Sequence, residues 1–400
     1  MQMVPKNKGI FVVGAKRTPF CKYGGLLREL PASFAFAAAA KDAIQTAKVD
    51  PIEIDCTIVA NINFLSQCDG GKTPRYCGIY SGVPIEKPAL GVNRSCASGL
   101  QAIISGGMEI LTNSANMCLT GGTEIMSSLP MLVRNVRFGT AIGKTYVMED
   151  HIKQQFLDSY TGLTLQKMAE DIAKARKITR EDVDEFTVKS HLKWKVAQEA
   201  NLFDTEITKC KTSINKKEHY VGNDELPYKE ISAEHLATFS PFVEDGTIVT
   251  AGNSAAPADG AAALLLASEE IVKRYNLTPL ARLAGWSCVG VEPRETALGA
   301  AAAIKRLSNC MNFRIEDIDI FEINETFASQ TLTTINELKI DDNKVNVSGG
   351  ALTVGHAVSA TGARMATHII HQIRNNNFKN GIAASCCGGG QGVAVIFERV

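Results

Sequence analysis

Three short segments of this chain occur twice, in the same order, and that repetition limits the open folds more than any other feature. Ile52-Glu53-Ile54-Asp55 followed by CTIVANINF is answered by Ile315-Glu316-Asp317-Ile318-Asp319 followed by IFEINETF. Val92-Asn93 before a loop and helix is answered by Val345-Asn346 before SGGALTVGHAVSATGAR, and CLTGG at 118 by CCGGG at 386. The offsets run from 253 to 268 residues. Ordered self-similarity at a near-constant spacing marks a duplicated unit. Two like halves packed together would bring their loops to one place. Chance likeness between two αβ units is the competing explanation.

The local patterns fit such a unit. The first part reads as strand (GIFVVGA), Arg/Pro turn, helix (SFAFAAAAKDAIQTAK), strand (CTIVANI), an irregular Gly-rich stretch (SQCDGGKTPRYCG), a helix after Cys96, and strand (NMCLTGG). Strands alternating with amphipathic helices predict an α/β unit with a mostly parallel sheet. Residues 125–247 lose this rhythm. They hold two helical segments, LQKMAEDIAKARK and TREDVDEFTVKSHLKWKVAQEA, and the polar run KCKTSINKKEHYVGNDELPYKE, which read as an insertion over the sheet. TIVTAGNSAAPADGAAALLLASEEIV then restores strand, glycine turn and helix, and the remainder repeats the α/β pattern. The expected division is 1–124 for the first half, 125–247 for the insertion, 248–275 for completion of the first half and 276–400 for the second.

Composition excludes several classes. Lysine plus arginine equals aspartate plus glutamate at 42 each, so no overall charge draws the chain to nucleic acid or a membrane surface. No apolar run approaches the ~20 residues needed to span a bilayer. The 11 cysteines are scattered, with neither CxxC pairs nor zinc spacing, which fits a reducing compartment and no metal. The opening MQMVPKNKGIFVV passes into a strand too soon for a cleaved leader, and FERV is no peroxisomal tripeptide.

Four loops carry chemistry. Cys96 lies where an apolar strand tip gives way to a helix with Leu100, Ile103, Ile104, Gly107 and Leu111 on one face. Its small neighbours leave the sulfur clear, and the unpaired N–H groups of a first helical turn favour a thiolate. Cys96 is a candidate nucleophile; a buried structural cysteine is the alternative. Asn324 ends an apolar strand, with Glu325 next to it, and its amide can donate to an oxygen gaining negative charge, or equally cap a helix. His356 stands in the small-residue loop GGALTVGHAVSATG as a candidate general base. Cys386 and Cys387 precede Gly388-Gly389-Gly390, where backbone N–H groups can approach a ligand closely and a second thiol can pass a proton to carbon. A plain glycine turn between strands would look the same.

Taken together, FVVGAKRTPFCKYGG, NRSCASGLQ, LTGGTEIMS, RNVRFG, TAGNS with DGAAA, INETFA, GG with GHAVSATG, and CCGGGQGVAVI resemble the thiolase family over nearly the whole chain, and most closely its mitochondrial-type 3-ketoacyl-CoA thiolases. The resemblance implies a duplicated αβαβα layered fold with a loop domain inserted in the first half. It implies that Cys96 accepts the acyl group, His356 activates it and Cys386 is the acid/base at the α-carbon. Asn324 with His356 would form one oxyanion site, and the N–H groups of Cys96 and Gly388 the other. Ser254, Ala255, Phe327 and Leu165 would line the substrate. The resemblance also implies coenzyme A and acyl-CoA as substrates, no metal or redox cofactor, a homodimer or homotetramer, and a mitochondrial location with the cytoplasm as alternative. Lys209, Lys211, Lys216 and Lys217 could meet the phosphates of coenzyme A or be a solvated loop.

Departures from the family pattern bear on activity. Ala357 replaces a proline after His356, Cys387 an aliphatic residue, and TALGAAAAI at 296–304, with Ala300 and Ala302, a stretch holding two prolines. Ala255 and Pro257 flank a turn that usually offers a small polar residue to the pantetheine arm. LQKMAED stands where a methionine and a small residue usually line the acyl pocket. These leave two readings: an active thiolase, or a weak relative kept for acyl-CoA binding. A decarboxylating ketoacyl synthase is disfavoured, because such enzymes use two histidines where this chain has Asn324 and Cys386.

Overall fold

A computed structural model describes residues 2–3, 9–63, 69–228 and 230–400. The first half contributes the strands β1 (Gln2–Met3), β2 (Ile10–Arg17), β3 (Cys21–Lys22), β4 (Cys56–Ala60), β5 (Ala89–Val92) and β6 (Met117–Ile125). Its helices are α1 (Ala32–Ala47), α2 (Thr73–Tyr80) and α3 (Ser98–Leu111). The insertion holds β7 (Met131–Val133), β8 (Met148–Asp150), α4 (His151–Gln155), α5 (Leu165–Ala175), α6 (Arg180–Glu199), β9 (Cys210–Ile214), β10 (Lys217–Val221) and α7 (Ala233–Ala237). Then come β11 (Ala258–Ser268), α8 (Glu269–Arg274), β12 (Ala281–Gly290), α9 (Gly299–Met311), β13 (Ile320–Ile323), α10 (Ala328–Leu338), α11 (Ala351–Val354), α12 (Val358–Asn375), β14 (Asn380–Cys387) and β15 (Gln391–Glu398).

The duplication is written in the strand order. One sheet of eleven strands runs β13-β14-β15-β12-β2-β11-β6-β4-β5, with β1 and β3 paired to β12 and β11. From its outer edge inward, the first half is β5-β4-β6-β11-β2. The second is the segment at Val345, bridged in parallel to Phe321, then β13-β14-β15-β12. Numbered along the chain, both orders are third, second, fourth, fifth, first. The recurring sequence segments fall on equivalent strands, β4 with β13, β5 with Val345, and β6 with β14. The halves meet first strand to first strand, at Ala281 opposite Val12 and Arg282 opposite Phe11.

The sheet is mixed, not mostly parallel. β4 lies parallel to β5 and β6, and β13 to β14, whereas the pairings of β11, β12 and β15 are antiparallel. The reason is how the fifth strand returns. In the second half a glycine turn folds β15 back on β14, as a short connection must. In the first half the whole insertion stands where that turn would be, between β6 and β11. The insertion is an enlarged hairpin turn, and it leaves the sheet at the same end as the other loops of interest.

Alternation of side chains sorts the layers. Along β11, Ala262, Leu264 and Leu266 face a central cluster holding α3 and α12, while Ala261, Ala263, Leu265 and Ala267 face α1. Along β15, Val393, Val395 and Phe397 join the same central cluster, and Ala394 and Ile396 face outward to α9. Both faces are therefore buried, and the order of layers is α, β, α, β, α. α3 and α12 cross at glycines. A Cβ on Gly99 would stand 2.5 Å from the Ala363 nitrogen, and one on Gly362 2.6 Å from the Leu100 nitrogen.

Three local expectations are corrected. The alanine run ADGAAALLLAS is a strand, and the residues TIVT that precede it are loop. Buried between α1 and α12, that strand needs small side chains more than β propensity. The polar run after Lys209 contains the hairpin β9/β10, and the Gly-rich stretch ends in α2, while residues 66–68 lie outside the described set. Among the described residues, no helix is long and apolar enough to cross a membrane.

Candidate active site

Cys96 sits on a strained elbow. Ser95, just before it, holds φ at 45°, a left-handed conformation costly for a residue with a Cβ. The Asn93 side chain fixes that turn by accepting from the Ser95 N–H at 3.0 Å. Ser98 accepts from the Arg94 N–H at 2.7 Å and donates to the Ser95 carbonyl at 2.6 Å. The elbow presents the sulfur at the carboxyl end of β5, where loops of both halves arrive.

Three donors point at that sulfur: the N–H of Gly388, the N–H of Cys96 itself and the Thr326 hydroxyl. Burial nevertheless outweighs them and pushes the Cys96 thiol up to about 11, so the thiolate expected from the helix terminus is not the resting form. Gly388 opens the turn that joins β14 to β15, in which Gly389 and Gly390 both have positive φ, at 79° and 69°. Its own Cβ position would lie 3.9 Å from the Ser95 hydroxyl. The segment is thus a glycine turn between strands and also a donor to Cys96. Arg94 ties the two loops together by donating to Gln391 at 3.1 Å.

The strand before this turn delivers the second thiol. Burial pushes Cys386 up to about 12, and nearby Cys96 adds repulsion. Its thiol donates to the Gln330 side-chain oxygen Oε1 at 3.5 Å. Cys387 faces the other side of β14, in the central cluster, with its thiol also pushed up by burial and by Cys96 and Cys386.

Asn324 leaves the end of β13, with its amide nitrogen 3.1 Å from the Thr326 oxygen. The Thr326 hydroxyl therefore accepts from Asn324 while it donates to Cys96. The Asn324 side-chain oxygen is buried with no partner among the described residues. Glu325 serves the scaffold: its buried carboxylate accepts from Ser190 of α6, the Asn346 amide and the Leu352 N–H. A Cβ on Gly350 would stand 2.2 Å from that carboxylate carbon, so only glycine fits there.

His356 precedes α12 and is buried. Its Nδ1 lies 2.7 Å from the Thr361 hydroxyl, which donates its one proton to the Ala357 carbonyl at 3.0 Å. Thr361 must then accept from Nδ1–H, leaving the lone pair on Nε2. Nε2 is buried without a partner among the described residues. Burial, and then the charge of Arg364, lower the imidazole to about 4. A buried acceptor left unpaired on a neutral ring is positioned to take a proton.

The strip 254–258 joins the histidine loop to the asparagine loop. His356 N–H donates to the Ala256 carbonyl at 2.8 Å, and Ala255 N–H to the Thr326 carbonyl at 3.0 Å. Ser254 pairs with Phe327 across the same strip and donates its hydroxyl to the Thr250 carbonyl at 2.6 Å. Phe327, Cys386 and Leu165, the first residue of α5, share one apolar cluster. Cys96, Asn324, Cys386, Gly388 and the strip Ser254–Ala255 are thus brought together with Phe327, His356 is bonded to that strip, and Leu165 packs against the same large apolar cluster as Phe327 and Cys386. The lysines of the polar run are not part of this assembly. Lys211 pairs with Glu218 at 2.5 Å across the β9/β10 hairpin, whose Cys210 and Val221 pack in the α1 cluster. A cavity of about 590 Å³ between α1, α12 and residues 275–280 contains none of these groups.

Thr326, Gln330 and Thr361 were not signalled by the sequence reading. Thr326 lies inside INETFA, but neither spacing nor composition separates a hydroxyl that touches a nucleophile from one that caps a turn.

The assembled geometry can be set beside known proteins. Residues 10–270 match the family model described as thiolase, N-terminal domain, and residues 277–399 that of thiolase, C-terminal domain. Mitochondrial 3-ketoacyl-CoA thiolase of Homo sapiens is 39% identical over 98% of each chain. A probable acetyl-CoA acyltransferase of Staphylococcus aureus strain COL is 35% identical over 98% of this chain and 99% of its own. The crystal structure of the human mitochondrial enzyme in complex with CoA superposes with a TM-score of 0.94, at 39% identity, covering 98% of both chains.

Proposed function

Because this chain belongs to the thiolase family, we propose that it transfers an acyl group between Cys96 and coenzyme A. In the degradative direction it cleaves a 3-ketoacyl-CoA to acetyl-CoA and a shortened acyl-CoA, the reaction that closes a turn of fatty acid β-oxidation. The observation that carries this reading is the sulfur of Cys96 held under the Gly388 N–H and the Thr326 hydroxyl, with Cys386 beside it.

Each group has one task per half reaction. Nε2 of His356 takes the Cys96 proton as the sulfur attacks the 3-keto carbon; the thiol at about 11 and the imidazole at about 4 are too far apart for a resting ion pair. The Cys96 and Gly388 N–H groups meet the tetrahedral oxyanion. The C2–C3 bond breaks, Asn324 and the imidazolium hold the acetyl-CoA enolate oxygen, and the Cys386 thiol protonates its carbon. Acetyl-CoA leaves, and the Cys386 thiolate takes the proton of an incoming coenzyme A thiol. That sulfur attacks the acyl group, Cys96 departs as thiolate, and the imidazolium returns its proton. All groups end as they began. Ser254, Ala255, Phe327 and Leu165 line the substrate in this reading.

The same reading divides the chain at 124, 247 and 275, with 125–247 covering the site. It gives a homo-oligomer, supported by the exposed Phe138 and Ile142 on the arm between β7 and β8. It also gives a mitochondrial location, supported by the named location of the human relative. Thiolysis of acetoacetyl-CoA and of a medium-chain substrate, with intact-mass detection of the acyl adduct, tests the function. Cys96→Ser should abolish both turnover and adduct. Tight coenzyme A binding by the unaltered chain without turnover would instead establish the weak acyl-CoA-binding relative.

A further inference from the structure

Two thiols that the proposed reaction does not use stand side by side at the opposite end of the sheet. Cys56 is the first residue of β4, and Cys118 the second of β6; they are direct partners in the parallel ladder, with sulfurs 3.4 Å apart. The catalytic loops leave the carboxyl ends of these strands, whereas this pair lies at the amino ends. Asp55 pins the two strand starts. Its carboxylate accepts from the Asn116 and Met117 N–H groups at 2.8 and 3.1 Å, and its own N–H donates to the Met117 carbonyl at 2.9 Å.

Neighbouring strands lie about 4.8 Å apart, inside the ~4.4–6.8 Å that a disulfide bridges between Cα atoms. The backbone spacing is therefore one that a disulfide spans, and the sulfurs have to close from 3.4 Å to about 2.05 Å. Access is unequal. Cys118 is fully buried and Cys56 partly exposed, which gives one thiol that meets a reagent and one that waits behind it. The Cys118 thiol also lowers Cys56 below the usual thiol range, against burial and the charges of Glu109 and Asp55.

We propose that Cys56 and Cys118 form a reversible dithiol site for small neutral hydroperoxides, separate from the reacting cysteines. Neutrality follows from Glu109, whose charge acts on Cys56 and disfavours anionic disulfides such as oxidised glutathione; Asp55 adds less, being paired with Lys87 at 3.3 Å. The Cys56 sulfur attacks the outer peroxide oxygen, the O–O bond breaks, and the leaving oxygen departs as alcohol or water with the Cys56 proton. Cys56 is then a sulfenic acid. The Cys118 sulfur attacks it, the S–O bond breaks, and hydroxide leaves as water with the Cys118 proton. Two thiols lose two electrons, and the peroxide gains them.

The test uses the full chain with stoichiometric hydrogen peroxide, alkylation of remaining thiols, and non-reducing peptide mass spectrometry. The expected product is a linked peptide pair carrying Cys56 and Cys118, two hydrogens lighter than the separate peptides and released by dithiothreitol. Thiolase turnover, if present, should survive its formation. Cys118→Ser should stop at a sulfenic acid on Cys56 that dimedone captures. Cys56→Ser, at the less buried position, should leave Cys118 unoxidised. Recovery of Cys56 and Cys118 as alkylated free thiols while other cysteines oxidise would overturn the proposal, as would oxidation of Cys118 in Cys56→Ser. Neither result bears on whether Cys96 carries an acyl group.

Discussion

At the scale of single residues, one hydroxyl decides what His356 can do. Thr361 spends its proton on the Ala357 carbonyl and so receives Nδ1–H, which leaves the Nε2 lone pair free, as the proposed reaction requires. Thr361→Val keeps the shape but leaves Nδ1–H buried and unpaired. Such a group costs about 1–3 kcal/mol, so kcat should fall roughly ten- to a hundredfold with little change in KM. Thr361→Ser should restore most of it, a rescue that a packing role alone would not predict. The pH profile adds a second check. Burial and Arg364 lower the imidazole to about 4, so it stays a free base through the range where histidines usually titrate. kcat/KM should show no acid limb near 6.5 and should fall only as pH approaches 4. The stability term has the same direction: the unfolded chain binds the extra proton between about 6.5 and 4, so this contribution is present above 6.5 and lost as pH falls through that window.

At the scale of elements, the start of α12 shows how a departure from family pattern can be harmless. Ala357 stands where the family has proline, yet its φ is −79°, within proline's range, and its amide donates no hydrogen bond among the described residues. The residue before it is bridged in extended pairing to Pro257, as a residue preceding proline prefers. The loop is therefore held by its neighbours. Ala357→Pro should fit without strain and stabilise the fold by about 0.4–1 kcal/mol through the unfolded chain, read as a raised denaturation midpoint with unchanged turnover. The same elements show what was legible in the sequence. The repeated segments located β4, β6, β13 and β14 on equivalent strands because strand, glycine turn and helix leave a local trace. The strand β11 was obscured because its environment, two helices against its two faces, selects alanine, which locally reads as helix. The β9/β10 hairpin was hidden for the converse reason: its exposed residues are mostly polar, Lys211, Ser213, Lys217 and Glu218 with Tyr220, and only Cys210, Thr212 and Val221 are buried. Cys96, Asn324, His356 and Cys386 stood out as reactive types in small-residue loops. Thr326, Gln330 and Thr361 did not, since their roles come from distances across the fold.

For the molecule as a whole, the insertion adds a further tie between halves that already meet along β2–β12 and where α3 crosses α12. Its helices α5 and α6 pack on α10 of the second half, while its hairpin packs beside α1 of the first. A buried ionic cluster anchors it. Arg17, at the end of β2, meets Glu206 at 2.7 Å and both oxygens of Asp224 at 2.7 and 3.0 Å, and His368 of α12 meets Glu206 at 2.8 Å. Burial alone would raise the Glu206 carboxyl, but His368 and Arg17 hold it far below the usual range. A depressed carboxyl contributes stability above its unfolded pKa, so this contribution is present above about 4.5 and lost as pH falls below it. Arg17→Met would leave Asp224 buried without its cation and Glu206 with His368 alone, and breaking a buried ion pair in this way costs about 3–5 kcal/mol. The Glu206 carboxyl would then titrate higher, shifting acid unfolding toward neutral pH. Because both carboxylates belong to the insertion, it should detach before the sheet melts. Limited proteolysis should cut the variant between 203 and 224 under conditions that leave the parent chain whole. Equal resistance in the two proteins would mean that the apolar contacts of α5 and α6 hold the insertion without the ions.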